Sequence, residues 1–280
     1  QTVRQAYEAA ASPTSQLFAS RSLSNFNVHK EVLVDWTTLG MNDIGELGEY
    51  KASYISEGDE EYSLSTFGGR TGVSRQLYIN GGAALGNLNR QLGRRLAAEV
   101  NDRRIAFLIQ ATGAGPTMKD GTAVFHASRD NVEGLDTTSI TTVIDSALAS
   151  RAKMPKRKGA GDVMIGATPR YWLVSTGFEP TAIRALASVA ANTAGEVNPL
   201  SGRLEILAEP RLADDDTSYL VAAPGCFDGA VEARLAGATG PVTESRWNFD
   251  NDAYEVKVRL DLGFGWLDWR SWTRLDHGAA

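Results

Sequence analysis

The sequence is poor in cysteine and histidine, the residues behind disulfides and many metal sites. Cys226 is the only cysteine, which excludes an intramolecular disulfide and leaves a cysteine-based zinc site without enough sulfur ligands. The three histidines, His29, His126 and His277, lie far apart along the chain, which argues against a histidine metal site. We therefore predict no metal and a reducing compartment.

Long apolar runs and common catalytic motifs are also missing. Charges or glycines interrupt every hydrophobic run before the roughly 18–20 residues of a membrane span, so no membrane association is expected. The phosphate-loop, dinucleotide-binding, nucleophile-elbow and zinc-protease motifs are absent, and we predict no cofactor. With 28 basic and 34 acidic residues, the net charge of −6 disfavours an extended nucleic-acid surface. Gln1 is not an initiator methionine and no secretion signal follows it, which we interpret as a processed or engineered start.

The residues that are present describe an ordinary globular protein of 280 residues, of which 42% are apolar and 22% charged. Apolar residues spaced three and four apart from Leu85 to Leu108 predict a long amphipathic helix of about 40 Å. Further helices are predicted over 139–153 and 180–191, and strands near 163–165, 171–175, 204–208 and 219–222. Residues 254–262 alternate between apolar and charged, which predicts an antiparallel strand paired with its predecessor through a turn at 250–252. Strands and helices interleave in the body of the chain, so its fold class is α/β or α+β.

The N-terminal third lacks a core of its own. Residues 1–35 mix polar and small side chains with scattered apolar ones, and Pro13 interrupts any helix there. We interpret this segment as an arm that a neighbour buries. Residues 32–78 have a strand pattern, and the acidic run Glu57–Glu61 is predicted to form the tip of a hairpin around Gly58.

Two groups of residues are candidates for chemistry. Asp120 and His126 would supply a hydrolase with its acid and base, although an isolated histidine is more often structural. Asp214–Asp216 are consecutive, so their carboxylates diverge, which is typical of a solvated turn rather than a cation site. We accordingly predict no catalytic, cofactor-binding or metal-binding residue.

Two charged segments are predicted to contact other chains. A basic loop places five cations within eight residues: Arg151, Lys153, Lys156, Arg157 and Lys158. The acidic residues Glu57, Asp59, Glu60 and Glu61 are opposite in sign. If the two segments meet, we expect them to meet between chains, because an exposed hairpin and a projecting loop seldom fold back onto one another. A solvated loop, or a contact with phosphate, is the alternative for the basic segment.

Several segments also carry a family resemblance. They are Tyr62–Gly68 with Ser74 and Arg75, Gly115–His126, Pro169–Val174, Val197–Glu205 with Glu209–Leu212, and Glu255–Gly263 with Asp268–Arg270. In this order they resemble the major capsid proteins of Mu-like tailed phages and prophages, which have the Hong Kong 97 phage-type capsid fold. The resemblance runs from about residue 40 to residue 275.

This resemblance implies a division of the chain into five segments. They are an N-terminal arm (1–35), an extended β-hairpin loop (36–76), a peripheral domain with a long spine helix (77–135), an axial domain (136–235) and further peripheral strands (236–280). Some relatives crosslink a loop lysine to an asparagine of a neighbour. Lys51 and Asn248 are the candidates here, and since neither matches a motif we predict the non-crosslinked state. We also predict intersubunit contacts for Lys51, Arg70 and Arg75.

The function that the resemblance implies is structural. Copies of the chain would form pentamers and hexamers of an icosahedral head in the virion, assembled in the bacterial host cytoplasm around double-stranded DNA without sequence-specific binding. Scaffold, maturation protease, portal and decoration proteins are the further partners implied. The alternatives are an encapsulin-like nanocompartment shell, a soluble hydrolase using Asp120 and His126, and a nucleic-acid module that depends on residues 151–158.

Overall fold

The computed structural model describes residues 2–34, 41, 43–44, 46, 57–159, 162–187, 198, 200–212, 214–225 and 227–278. The helices are α1 (Val3–Ala9), α2 (Arg75–Asn80), α3 (Gly82–Leu108), α4 (Gln110–Gly113), α5 (Ile140–Lys153) and α6 (Glu179–Leu186). The strands are β1 (Ala19–Leu23), β2 (His29–Val34), β3 (Glu57–Tyr62), β4 (Ser65–Ser74), β5 (Val132–Asp136), β6 (Pro169–Val174), β7 (Glu205–Ala208), β8 (Thr217–Ala222), β9 (Ala230–Leu235), β10 (Val242–Asn248), β11 (Ala253–Trp266) and β12 (Trp272–Gly278). Each helix in the described part of the chain is too short or too polar to span a bilayer.

The long amphipathic helix is confirmed as α3, which has 27 residues. Its apolar face packs on one side of β11, where Leu96 and Val100 share a buried cluster with Val256 and Val258. The helix is followed by the single turn α4, in which Ala111 and Thr112 have left-handed backbone angles. This turn redirects the chain towards the second half of the molecule.

The N-terminal segment is buried by its own chain. Helix α1 packs on α3 with Val3 and Tyr7 in the interface, and a Cβ on Gly93 would come within 2.5 Å of the Val3 carbonyl oxygen. The hydroxyl of Thr14 donates to the side-chain oxygen of Asn101 in α3 at 2.6 Å. The prediction that a neighbour buries this segment is therefore wrong for α1 and the turn after it. The helix ends at Ala9, before Pro13 as expected.

Two five-stranded sheets form the body. The first has the order β1-β9-β11-β10, with β4 also paired to β11. The predicted alternating strand is confirmed as β11, and β10 pairs with it in antiparallel fashion across the predicted turn. Buried Val256, Val258 and Leu260 face the helices, while Lys257 and Arg259 are exposed.

The second sheet has the order β5-β12-β8-β6-β7. Its centre holds the most deeply buried aromatic side chains, Trp172, Tyr219 and Trp272. Strand β9 pairs with β11 in the first sheet, and β8 pairs with β12 in the second. Each sheet therefore combines strands that precede residue 236 in the chain with strands that follow it. The two sheets are thus built from interleaved parts of the chain.

Three local predictions need correction. Residues 163–165 form a single bridge, Lys158 to Met164, rather than a strand. Helix α6 ends at Leu186, and residues 188–197 lie outside the described part. Gly58 pairs with Leu33 inside the β2–β3 ribbon, so the acidic run lies within a strand and is not a hairpin tip.

Candidate functional site

The acidic run in β3 is partly neutralised by lysines of the same chain. The Lys119 ammonium contacts the Asp59 carboxylate, and the backbone N–H of Lys119 donates to Glu60 at 3.2 Å. Lys30 pairs with Glu61 at 2.9 Å across the ribbon. The bond from Lys119 lowers the pKa of Asp59, whereas burial raises the pKa of Glu60. These contacts fix the root of the hairpin on the body of the subunit.

For two other predicted contact residues of this region, the structure does not describe the side chain. Lys51 lies outside the described residues, as does the side chain of Glu57. Both therefore remain predictions.

Arg157 of the basic loop is buried. Its guanidinium donates to the carbonyl oxygens of Asp130 at 3.0 Å and of Arg270 and Trp272 at 2.8 Å, and to the Thr273 hydroxyl at 2.8 Å. Burial lowers the pKa of Arg157 to about 10, so it stays charged at neutral pH. Because it serves the subunit's own fold, the prediction that Arg157 contacts a neighbour is wrong.

The lysines of the basic loop remain exposed. Lys153 pairs with Glu133 at 2.6 Å and Lys158 with Asp162 at 2.7 Å. Lys156 is exposed. Exposed pairs of this kind contribute little to stability, so these lysines remain available to a partner.

One residue of the basic loop lines the same cavity as the acidic strand of its own chain. Asp59 and Glu60 line a cavity of about 480 Å³ whose walls also include Lys158 and residues 267–270. Among the described residues no ion pair joins the two segments, so the hypothesis that they meet between chains stays a prediction. Residues 118–120 also line this cavity, and their contact with the acidic strand could not be predicted because the two lie about 60 residues apart in the chain.

A second charged surface lies on the outer face of the first sheet. Strand pairing places Arg70 of β4 opposite Lys257 of β11, and Arg246 of β10 opposite Glu255. The Glu255 carboxylate is shared by Arg70 at 3.6 Å and Arg246 at 3.1 Å. The hydrogen bond from Asn248, followed by that from Arg246, lowers the pKa of Glu255. We call this surface the cationic groove: Arg70, Glu244, Ser245, Arg246, Glu255 and Lys257, enclosing about 360 Å³.

Cations outnumber carboxylates around the groove. Glu244 is likewise shared, by Lys257 at 2.6 Å and Arg259 at 3.4 Å, so two carboxylates serve four cations. Arg75, at the start of α2, pairs separately with Asp252 at 3.6 Å. Of the groove residues only Arg70 was predicted, although Lys257 and Arg259 stand on the charged side of the β11 alternation.

The residues considered for hydrolysis do not form a site. Asp120 binds Arg129 at 2.6 Å, and His126 caps the turn that follows it through its own bonds with Ser128. Among the hydrogen bonds of the described residues, none joins Asp120 to His126. Asp214–Asp216 form a turn whose carbonyl groups accept bonds from His277. Within the described part of the chain, no three metal-binding side chains are grouped to hold an ion.

Comparison with known proteins gives a consistent result. Residues 58–275 match the family model described as phage capsid protein. No curated protein matches the chain by sequence. The capsid of the cyanophage P-SCSP1u is similar in structure, with a TM-score of 0.62 and 12% identity over 97% of this chain and 89% of the other. The mature capsid of bacteriophage PhiM1 gives a TM-score of 0.65 and 10% identity over 96% and 88%. The SrpI encapsulin complex of Synechococcus elongatus PCC 7942 gives 0.60 and 10% over 96% and 88%.

Proposed function

Because the chain belongs to the phage capsid protein family, and so is a structural subunit of an icosahedral shell and not an enzyme, we propose that its copies form pentamers and hexamers around double-stranded DNA. The observation that carries this proposal is the family match over residues 58–275 together with the capsid fold of the whole chain. The finer assignment to the Mu-like type rests on the segments quoted above, and it belongs to the same proposal.

The charge distribution supports a closed container. Most cations of the described residues are paired with carboxylates of the same chain, as with Arg95 and Glu99 at 2.8 Å. A surface whose cations are already paired gains little by releasing counterions from DNA. We infer that the shell holds its DNA by enclosure and without sequence-specific contacts.

The architecture supports a division of labour between the two sheets. We propose that the first sheet with α3 forms the peripheral part of the subunit and that the second sheet with α5 and α6 forms the axial part. Strand β11, of 14 residues, belongs to the first sheet and leads directly into the second. We also propose that the shell is assembled in the host cytoplasm with scaffold, protease, portal and decoration proteins. The same proposal places Lys153, Lys156 and Lys158 in contacts between subunits.

The proposal is tested by expressing the chain alone and measuring its size by sedimentation velocity and negative-stain electron microscopy. We expect closed particles, or rings of five and six subunits. A single small species under all assembly conditions would contradict self-assembly.

An encapsulin-like compartment is the second candidate, and the likeness to the SrpI shell favours it. The two functions differ in what the particle contains. Shells purified from the native source should hold nuclease-protected DNA if the chain forms a phage head. A protein cargo in place of DNA would support the compartment.

A further inference from the structure

Two arginines in the second half of the molecule have no carboxylate partner. Arg151, the first cation of the basic loop, lies in the last turn of α5. Arg203 lies in the turn that leads into β7. Within the described part of the chain, neither guanidinium forms an ion pair, and no carboxylate acts on the pKa of Arg151. These two cations therefore differ from Lys153 and Lys158 of the same loop, which are paired.

Packing holds the two arginines near one another. Leu148, one turn before Arg151, and Leu204, directly after Arg203, pack against the same buried cluster. Leu200, at the start of the turn that contains Arg203, is a fully buried member of that cluster. Burial, followed by the like charge of Arg203, lowers the pKa of Arg151. Two segments that are about 50 residues apart in the chain thus place two positive charges side by side.

This arrangement is unfavourable as long as the pair is empty. The Nε–H group of Arg151 is buried and has no hydrogen-bond acceptor among the described residues. A buried donor without an acceptor costs free energy, and so does the approach of two like charges. Groups perturbed in this way are concentrated at binding and catalytic sites. An anion bound between the two side chains would neutralise their charge and accept their hydrogen bonds.

The chemistry of the pair selects the kind of anion. A guanidinium is a planar fork that donates to two oxygens of a phosphate at once. A phosphate group offers further oxygens to the second guanidinium, whereas a carboxylate has only two oxygens and a single charge. A site of two cations also agrees with the net charge of −6, because it holds one phosphate group and needs no extended basic surface.

From these observations we propose that Arg151 and Arg203 form a binding site for a phosphate group, carried by a free polyphosphate compound or by the backbone of DNA. The site goes beyond the proposed function, because both residues belong to one subunit and binding does not require assembly.

Titration calorimetry of the unassembled full-length subunit with sodium tripolyphosphate at low salt tests the site. The variant R151Q/R203Q is compared with the matched control R94Q/R184Q, which removes the same amount of charge. Arg94 and Arg184 are exposed arginines of α3 and α6 that make no ion pair with the described residues. We expect R151Q/R203Q to bind tripolyphosphate about tenfold more weakly or worse, because it loses both charged donors. The control should stay within about twofold of the wild type, and circular dichroism checks that each variant is folded.

Thermal unfolding provides a second measurement. A ligand that binds only the folded state raises the melting temperature. Tripolyphosphate should therefore raise the melting temperature of the wild type and of the control, but not that of R151Q/R203Q.

A short DNA duplex, titrated under the same conditions, distinguishes the two sources of phosphate. Duplex binding that is lost in R151Q/R203Q and displaced by tripolyphosphate identifies the DNA backbone as a ligand. Binding of tripolyphosphate without binding of the duplex identifies a free polyphosphate compound.

Three results would overturn the phosphate site. They are a wild type that binds neither probe, an R151Q/R203Q variant that binds as tightly as the wild type, and a control that loses as much affinity as R151Q/R203Q. Each of them leaves the shell function standing. Conversely, a chain that never assembles removes the shell function without changing the titration of the single subunit.

Discussion

Replacing Glu232 with glutamine tests the buried ion network that joins α3 to the first sheet. The Arg104 guanidinium donates to Glu232 at 2.6 Å, and the two side chains are 3% and 8% exposed. Arg234 binds the same carboxylate at 2.7 Å, and Arg104 also donates to Thr14 at 3.1 Å. Since losing one member of a buried pair leaves the other charge unpaired, we expect E232Q to lower the free energy of unfolding by about 3–5 kcal/mol. That is a large part of the roughly 5–15 kcal/mol of a typical domain.

The effect should depend on pH with a defined sign. Burial alone would raise the pKa of Glu232, but the charges of Arg104 and Arg234 lower it overall. A carboxyl group whose pKa is depressed by folding contributes stability above its unfolded value of about 4.3, and that contribution is lost as the pH falls below it. The difference between wild type and E232Q should therefore be full at pH 7 and shrink below about pH 4.

Urea denaturation of the unassembled subunit, followed by tryptophan fluorescence, measures this difference. R95Q is the control, because Arg95 is 67% exposed in its pair with Glu99 and should change the free energy of unfolding by at most about 1 kcal/mol. A loss below about 1 kcal/mol in E232Q, or one that does not change with pH, would refute the reasoning.

Three further substitutions test other features by thermal unfolding. A111G should raise the melting temperature, because Ala111 has φ of 50° and this conformation costs about 1–2 kcal/mol in residues other than glycine. The control A106G, within α3, should lower the melting temperature. Equal shifts of the two variants would count against strain at this turn. G263A should destabilise the subunit by several kcal/mol, since the new Cβ would lie 2.2 Å from the carbonyl oxygen of Ser63. The control G134A has open space around the new Cβ and should cost at most about 1 kcal/mol. Burial lowers the pKa of His277, so the stability of the subunit should fall as the pH drops below about 6.5. H277Q should lose that part of the pH dependence. An unchanged pH profile in H277Q would show that His277 is not its source.

Regular elements could be predicted because their signals are local. The spacing of leucines and valines between residues 85 and 108 defines α3, and the alternation over residues 254–262 defines β11 with its buried and exposed sides. The turn at residues 250–252 follows from its asparagine and aspartates. Each pattern depends on side chains that are close together in the chain.

Contacts between distant segments could not be predicted in this way. Burial of α1 depends on Gly93, whose missing side chain admits the Val3 backbone. Arg157 has the sequence surroundings of a surface cation, yet carbonyl groups from two distant segments, at residue 130 and at residues 270–272, accept its hydrogen bonds. In each case the deciding neighbour is brought in by tertiary packing.

The cationic groove shows the same limit. Arg70 and Lys257 are opposite one another only because β4 and β11 pair in one register. A shift of that register by one residue would place one of them on the helix-covered side of the sheet. The charges could be counted from the sequence, but the surface they form could not.

The most direct test of the account is cryo-electron microscopy of particles assembled from this chain. We predict a closed icosahedral shell in which each subunit keeps the two-sheet fold. Particles without icosahedral symmetry, or a protein that remains a small compact species, would contradict the central claim that this chain is a self-assembling shell subunit.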